Sequence, residues 1–131
     1  INDSYNANPS SVEKSVKELA SLGTGGRVVA VLGDMRELDE FSEKEHRAIG
    51  RMISETGVDV FVAVGEMMNM AAEESTSGKG GKAAPEVFTF KDANSAKDNI
   101  MDILKPGDTV LIKGSRSMTM EKIIEGITNA V

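Results

Sequence analysis

The chain has 131 residues, 40% of them hydrophobic, with a formal net charge of −6, no cysteine and the single histidine His46. That length suits one domain with its own core, and an acidic chain without a run of Lys or Arg is no partner for a nucleic-acid backbone. Disulfides, thiolate metal sites and His-rich metal sites are excluded by the same counts.

No apolar run approaches the roughly 20 residues needed to cross a bilayer, and nothing at the start resembles a signal peptide, which is compatible with a cytoplasmic setting. The chain opens at Ile1 as if in mid-strand, so we expect a piece of a longer polypeptide. Asp3-Ser4-Tyr5-Asn6-Ala7-Asn8-Pro9 follows, denser in polar and restricted residues than a mere reversal requires. It reads either as a ligand-facing turn or as ordinary turn chemistry, with Asn8 before Pro9 starting a helix. Ser10-Ser11-Val12-Glu13 matches a capping box, Val12, Val16, Leu19 and Ala20 share a helical face, and Gly23 is placed to stop the helix.

Arg27 to Leu32 is apolar and β-branched without alternation, as in a strand buried on both faces, and ends at Gly33-Asp34. Ser42-Glu43-Lys44-Glu45 is a second capping box, with Phe41 as a hydrophobic staple and Ile49, Met52 and Ile53 inward up to Gly57. The apolar run Val58 to Val64, interrupted early by Asp59, is the next strand. Met67, Met68, Ala71 and Ala72 suggest a short helix, and Ser75 to Lys82 is polar and glycine-rich enough to be flexible. A short strand over Glu86–Phe90 leads to a helix capped by Asp92, with Ala96, Ile100, Ile103 and Leu104 inward. After the Pro106-Gly107 turn come the strand Thr109 to Ile112, the loop Lys113-Gly114-Ser115-Arg116-Ser117, and a last helix burying Met120, Ile123, Ile124 and Ile127.

Such alternation predicts an α/β fold, a Rossmann-like three-layer αβα domain with a mostly parallel sheet; periodicity leaves the strand order and any added antiparallel strand open. Ligands of such folds bind beyond the carboxyl ends of the strands. Three of the loops found there are polar: Asp3 to Pro9, Gly33 to Phe41, and Lys113 to Met118. They should therefore share one rim. Gly33 would let the backbone approach a ligand closely. Asp34, Arg36 and Glu37 are either ligand-binding or a solvated charged loop, and His46 is either part of the staple against Phe41 or a rim residue. Lys113, Ser115 and Arg116 bring cations and a hydroxyl to a strand end before a helix start, a setting for an anion, with Ser117 a candidate cap. The methionines on apolar helical faces, Met52, Met67, Met68 and Met120, read as core filling. Gly78-Lys79-Gly80 lacks the spacing and hydroxyl of a phosphate loop.

The first block, then Leu32-Gly33-Asp34-Met35-Arg36-Glu37-Leu38 with Phe41-Ser42 and His46, then Lys113-Gly114-Ser115-Arg116-Ser117-Met118 with Met120-Glu121, resemble the C-terminal domain of the Mur ligases over essentially the whole chain. The two asparagines of the first block favour the branch that adds a dipeptide. The resemblance implies a single domain over 1–131 of an ATP-dependent amide ligase of peptidoglycan biosynthesis, with ATP and Mg2+ as cofactors and UDP-N-acetylmuramoyl-tripeptide and D-alanyl-D-alanine as substrates. The UDP-sugar and ATP-binding domains, with the metal ligands, would lie elsewhere in the longer enzyme, and this portion alone would be inactive. Asp3, Tyr5, Asn6 and Asn8 would then line the nucleotide side. Asp34, Arg36, Glu37, His46, Lys113, Ser115 and Arg116 would face the substrates, one acidic residue taking the ammonium of the dipeptide and the cations its carboxylate or an acyl phosphate. Family sequences commonly carry Gly where this chain has Asp39, so we expect the loop exit to bend differently. Two other readings stand beside this one: a Mur-type domain with a diamino acid or glutamate as acceptor, and a free-standing nucleotide-binding module.

Overall fold

Strands and helices alternate along the chain in the computed structural model, which describes residues 2–3, 8–22, 25–36, 38–76 and 84–129. The elements are β1 (Asn2–Asp3), α1 (Pro9–Ser21), β2 (Val28–Gly33), α2 (Ser42–Thr56), β3 (Val60–Val64), α3 (Glu66–Ser75), β4 (Glu86–Phe90), α4 (Ala93–Ile103), β5 (Thr109–Lys113) and α5 (Glu121–Asn129). The sheet runs β1-β5-β2-β3-β4 with every neighbouring pair parallel. The expected three-layer αβα architecture is present, and among the described residues no antiparallel strand is added to it.

Burial follows the pleat. Ala30, Leu32, Phe61 and Ala63 meet α1, α2 and α3 in one core. Val29, Val31, Val60, Val62 and Val64 meet α4 and α5 in the other. This explains why β2 and β3 read as continuous apolar runs: each face of each strand is covered, and both strands are buried along their whole length. Edge strand β4 is only half covered.

Two helix starts depart from the expected capping boxes, the first in favour of the Asn8-Pro9 start that the sequence also offers. At α1 the cap is Asn8 rather than Ser10: its Oδ1 accepts the Ser11 N–H at 2.9 Å and its own N–H donates to Ser11 Oγ at 3.1 Å. Pro9, with φ preset and no N–H to satisfy, forces the helix to begin there. At α2 no side-chain cap forms, because a 3-10 turn over Asp39–Phe41 runs straight into the helix and Phe41 has helical dihedrals. A cap needs an extended residue whose side chain folds back. Phe41 is 56% exposed and staples nothing. Asp92 caps α4 as expected, accepting the Ser95 N–H at 2.9 Å, and that bond holds its carboxyl below the usual range. Ser75 ends α3 and is buried, its Oγ donating to Ala72 O at 2.8 Å, rather than opening the polar stretch. Gly23 and residues 77–83 lie outside the described residues.

Gly50, in the middle of α2, is needed for contact rather than for flexibility: a Cβ there would stand 2.1 Å from the carbonyl oxygen of Ala71 on α3. At the amino-terminal end of the sheet, the Arg27 guanidinium donates to both carboxylate oxygens of Asp108, at 3.0 and 2.8 Å, and to Ile103 O at 2.9 Å. Asp59, which interrupted the apolar run, accepts the Val28 N–H at 2.7 Å and so joins β2 to the β3 entrance. These bonds lock the end of the sheet opposite the polar loops.

Both features make predictions. Gly50→Ala forces α2 and α3 apart and should cost about 1–3 kcal/mol in urea unfolding, the usual range for overpacking. The Arg27 hydrogen bond, aided by the Lys105 N–H, holds the Asp108 carboxyl below its ordinary value. Its stabilisation is therefore complete above the unfolded carboxylate range, about pH 4, and is lost as pH falls through the depressed value. Asp108→Asn should lower the urea midpoint at neutral pH and flatten its acid limb, so that the two proteins converge at low pH.

Candidate functional site

The carboxyl ends of β2 and β5 are neighbours, yet the helices that follow depart to opposite faces, α2 to the core under α1 and α3, α5 to the core under α4. A crevice opens wherever adjacent strands diverge in this way. Register places the polar loops around it: Asp3 pairs with Lys113, and Lys113 with Leu32, two residues before Asp34. The strand ends from which the three loops leave therefore lie side by side at one edge.

Residues 34–36 are tied down amide by amide. The Asp34 N–H donates to Val64 O at 3.1 Å, the Met35 N–H to His46 Nε2 at 3.0 Å, and the Arg36 N–H to Ser115 Oγ at 2.8 Å. In return the Ser115 N–H donates to Asp34 O at 3.2 Å, so the second and third loops are one hydrogen-bonded unit. The Asp34 side chain, 3% exposed, turns inward, where Oδ1 accepts the Met68 N–H at 2.7 Å and caps α3 from another loop. The preceding residue, Gly65, has φ +109°, and a Cβ on it would fall 2.4 Å from Asp34 Oδ1, so only glycine leaves room for this cap. His46 is fully enclosed, 0% exposed, and so does not face the rim. Its Nδ1 donates to Ser42 O at 2.7 Å, which leaves Nε2 bare to accept from Met35.

Arg36 is exposed at this knot, with Nη2 at 3.2 Å from Met118 Sδ. Arg116 is exposed at the start of a 3-10 turn over Arg116–Met118. Lys113, by contrast, is 1% exposed at the end of β5. The third loop does not run directly into a helix: Thr119, at φ +51°, separates the 3-10 turn from α5, and Ser117 lies inside that turn rather than at the start of α5. The space over the loop glycines is occupied. A Cβ on Gly33 would meet Met120 Sδ at 2.8 Å, and one on Gly114 would meet Met120 Cγ at 2.7 Å. Both glycines make room for a core methionine rather than for a ligand.

Asn8 is exposed, with its carbonyl side committed to the α1 cap, while Tyr5, Asn6 and Glu37 lie outside the described residues. Beside the start of α1 a cleft of about 640 Å³ is lined by Asn8, Pro9, Leu38, Asp39, Phe41 and Glu45, among others. The sequence reading missed it by assigning Phe41 to a staple. The cleft opens between the start of α1 and the exit of the second loop, not over Arg36 and Arg116. Asp39 bends that exit with φ +49°, the left-handed conformation for which Gly is the default, so the aspartate takes the bend that a glycine would. Glu121, behind the third loop, has a buried Oε2 that no donor reaches. Among the described residues no three carboxylate or imidazole groups gather to hold a metal ion.

Residues 1–116 match the family described as Mur ligase, glutamate ligase domain. Over 97% of its length the chain is 31% identical to the UDP-N-acetylmuramoyl-tripeptide--D-alanyl-D-alanine ligase of Bacillus subtilis, of which it spans 27%. It is 34% identical, again over 97% of its length, to the ligase of that name from Escherichia coli, spanning 26% of it. The chain thus covers about a quarter of these relatives. MurF from Acinetobacter baumannii superposes with a TM-score of 0.81 at 28% identity, over 96% of this chain and 27% of that one. The MurF ligase from Thermotoga maritima in complex with ADP, at 23% identity and a TM-score of 0.74 over 96% of this chain and 27% of its own, shares the fold. By these matches the chain belongs to the Mur ligase family, in its glutamate ligase domain.

Proposed function

We propose that this chain is the C-terminal domain of a longer, cytoplasmic, ATP-dependent ligase that joins D-alanyl-D-alanine to UDP-N-acetylmuramoyl-tripeptide in peptidoglycan biosynthesis. The observation that carries the reading is the pair of exposed arginines, Arg36 and Arg116, on loops that are hydrogen-bonded to each other at the crevice between β2 and β5. The names of the similar proteins support the acceptor.

In this reaction a carboxylate oxygen of the tripeptide attacks the γ-phosphorus of ATP and ADP leaves. The dipeptide amine then attacks the acyl carbon, phosphate departs and the amine loses its proton. An acyl phosphate is readily hydrolysed, so closing this domain over the other domains excludes water while the intermediate lives. Arg36 and Arg116, with Ser115 beside them, take the dipeptide carboxylate or the acyl phosphate. Glu37 is the acidic residue left for the ammonium, since the Asp34 carboxylate is enclosed. Asp3 takes the ribose hydroxyls, and Tyr5, Asn6 and Asn8 line the nucleotide side. Magnesium and its ligands belong to the absent domains.

The test is ligation by the full-length enzyme with ATP, the UDP-tripeptide and either D-alanyl-D-alanine, a diamino acid or glutamate. Product formation with the dipeptide is expected; turnover only with one of the others would move the chain to another branch. Arg116→Glu should raise the KM for the dipeptide about tenfold or more while that for ATP stays within about twofold, the signature of a lost local contact. Tight ATP binding by this chain alone, measured by titration calorimetry, would instead favour a free-standing nucleotide module.

A further inference from the structure

We propose that His46 is a positioning residue: its imidazole holds the Met35 amide and, through it, fixes where Arg36 stands on the rim. The inference rests on the function proposed above for its substrate and on geometry for the rest. Each of three consecutive amides, those of Asp34, Met35 and Arg36, donates to a different element: β3, α2 and the third loop. The first and third of these bonds connect strand ends and loops at the rim itself. His46 ties the middle of the segment to α2, as the Asp34 side chain ties its start to α3.

The chemistry of the position is narrow. Met35 is 1% exposed and His46 0%, so no water replaces a lost acceptor. The acceptor is Nε2 because Nδ1 is fixed as donor to the Ser42 carbonyl at 2.7 Å, a bond within the first turn of α2 that also sets the ring plane. A donor at that site would face the Met35 N–H and push the loop outward. Arg36 follows directly, its amide on Ser115 Oγ and its guanidinium against Met118 Sδ. Any shift of Met35 is therefore delivered to the exposed cation, whereas the nucleotide side, built on β1 and the cap of α1, is reached by a separate loop.

Two variants of the full-length enzyme test this. His46→Leu fills the space without an acceptor; His46→Gln places a carbonyl oxygen near the position of Nε2 but cannot reproduce the Nδ1 bond. His46→Leu should raise the KM for D-alanyl-D-alanine about tenfold with the KM for ATP within about twofold, and His46→Gln should recover most of that difference. Hydrogen exchange of the 33–36 segment should accelerate in the Leu variant and stay near wild type in the Gln variant. If both KM values move together, if Gln is no better than Leu, or if exchange is unchanged, the role is refuted. A wild-type enzyme that never ligates the dipeptide would overturn the proposed substrate instead, and the exchange comparison would still decide the positioning of the loop.

Discussion

A carboxylate shut away from water must be met by donors, because its desolvation is otherwise too costly to sustain. Asp34 meets that condition by serving as the cap of a helix that does not follow it in sequence, with the Met68 amide at 2.7 Å from Oδ1. The arrangement is favourable twice over, since the first turn of α3 leaves amides unpaired and the helix dipole places positive potential there. It also fixes the end of β2 against β3 and α3. The backbone of Asp34 then bonds β3 on one side and the third loop on the other, so the rim inherits its rigidity from one buried charge. Gly65 is the other half of the device, as its left-handed backbone and missing side chain leave the space that the carboxylate fills.

Met120 plays the corresponding part beneath the third loop. Its side chain lies over Gly33 and Gly114, the first glycines past the cores of β2 and β5. Both strands can end at the same level only because neither residue carries a Cβ, and a flexible thioether suits the irregular gap that results. Among the described residues, those with positive φ that are not glycine, Asp39 and Thr119, stand at the exits of the two loops thus joined. Strain of this kind persists where the surroundings over-determine it. Here the tied segment 34–36 precedes one exit and the packed Met118 and Met120 flank the other.

Much of the fold was legible because burial has a period. The two-sided cover of β2 and β3 shows as unbroken apolar runs, and the helix faces show as residues spaced by three and four. The order β1-β5-β2-β3-β4 was not legible, because periodicity says which face is buried and nothing about which strand is adjacent. Caps were partly legible. Asp92 precedes a clean helical pattern and was recognised, whereas at α1 the constraint from Pro9 outweighed the Ser10 box, and at α2 a 3-10 turn displaced the box altogether. The inward turn of Asp34 and His46 could not be read, since their partners, Met68 and Met35, lie far away or offer only backbone, and backbone donors carry no sequence signature.

The three polar blocks that carry the family resemblance therefore contain two populations. Asp34, His46 and Lys113 are enclosed, while Arg36, Ser115 and Arg116 sit at the surface or partly so, and the enclosed bonds of Asp34 and His46 hold the segment that presents Arg36. A motif is thus a weaker guide to contact with ligand than to the construction of a rim, because holding a loop to within a hydrogen bond demands as many particular side chains as touching a substrate does. The charge distribution shows the same economy of purpose. In a chain of net charge −6, the crevice between β2 and β5 exposes arginines, while the neighbouring cleft is lined by Asp39, Glu40 and Glu45. An anion is drawn to one and repelled by the other over a few residues of chain, and local fields of that kind, rather than the overall charge, decide what an acidic domain admits.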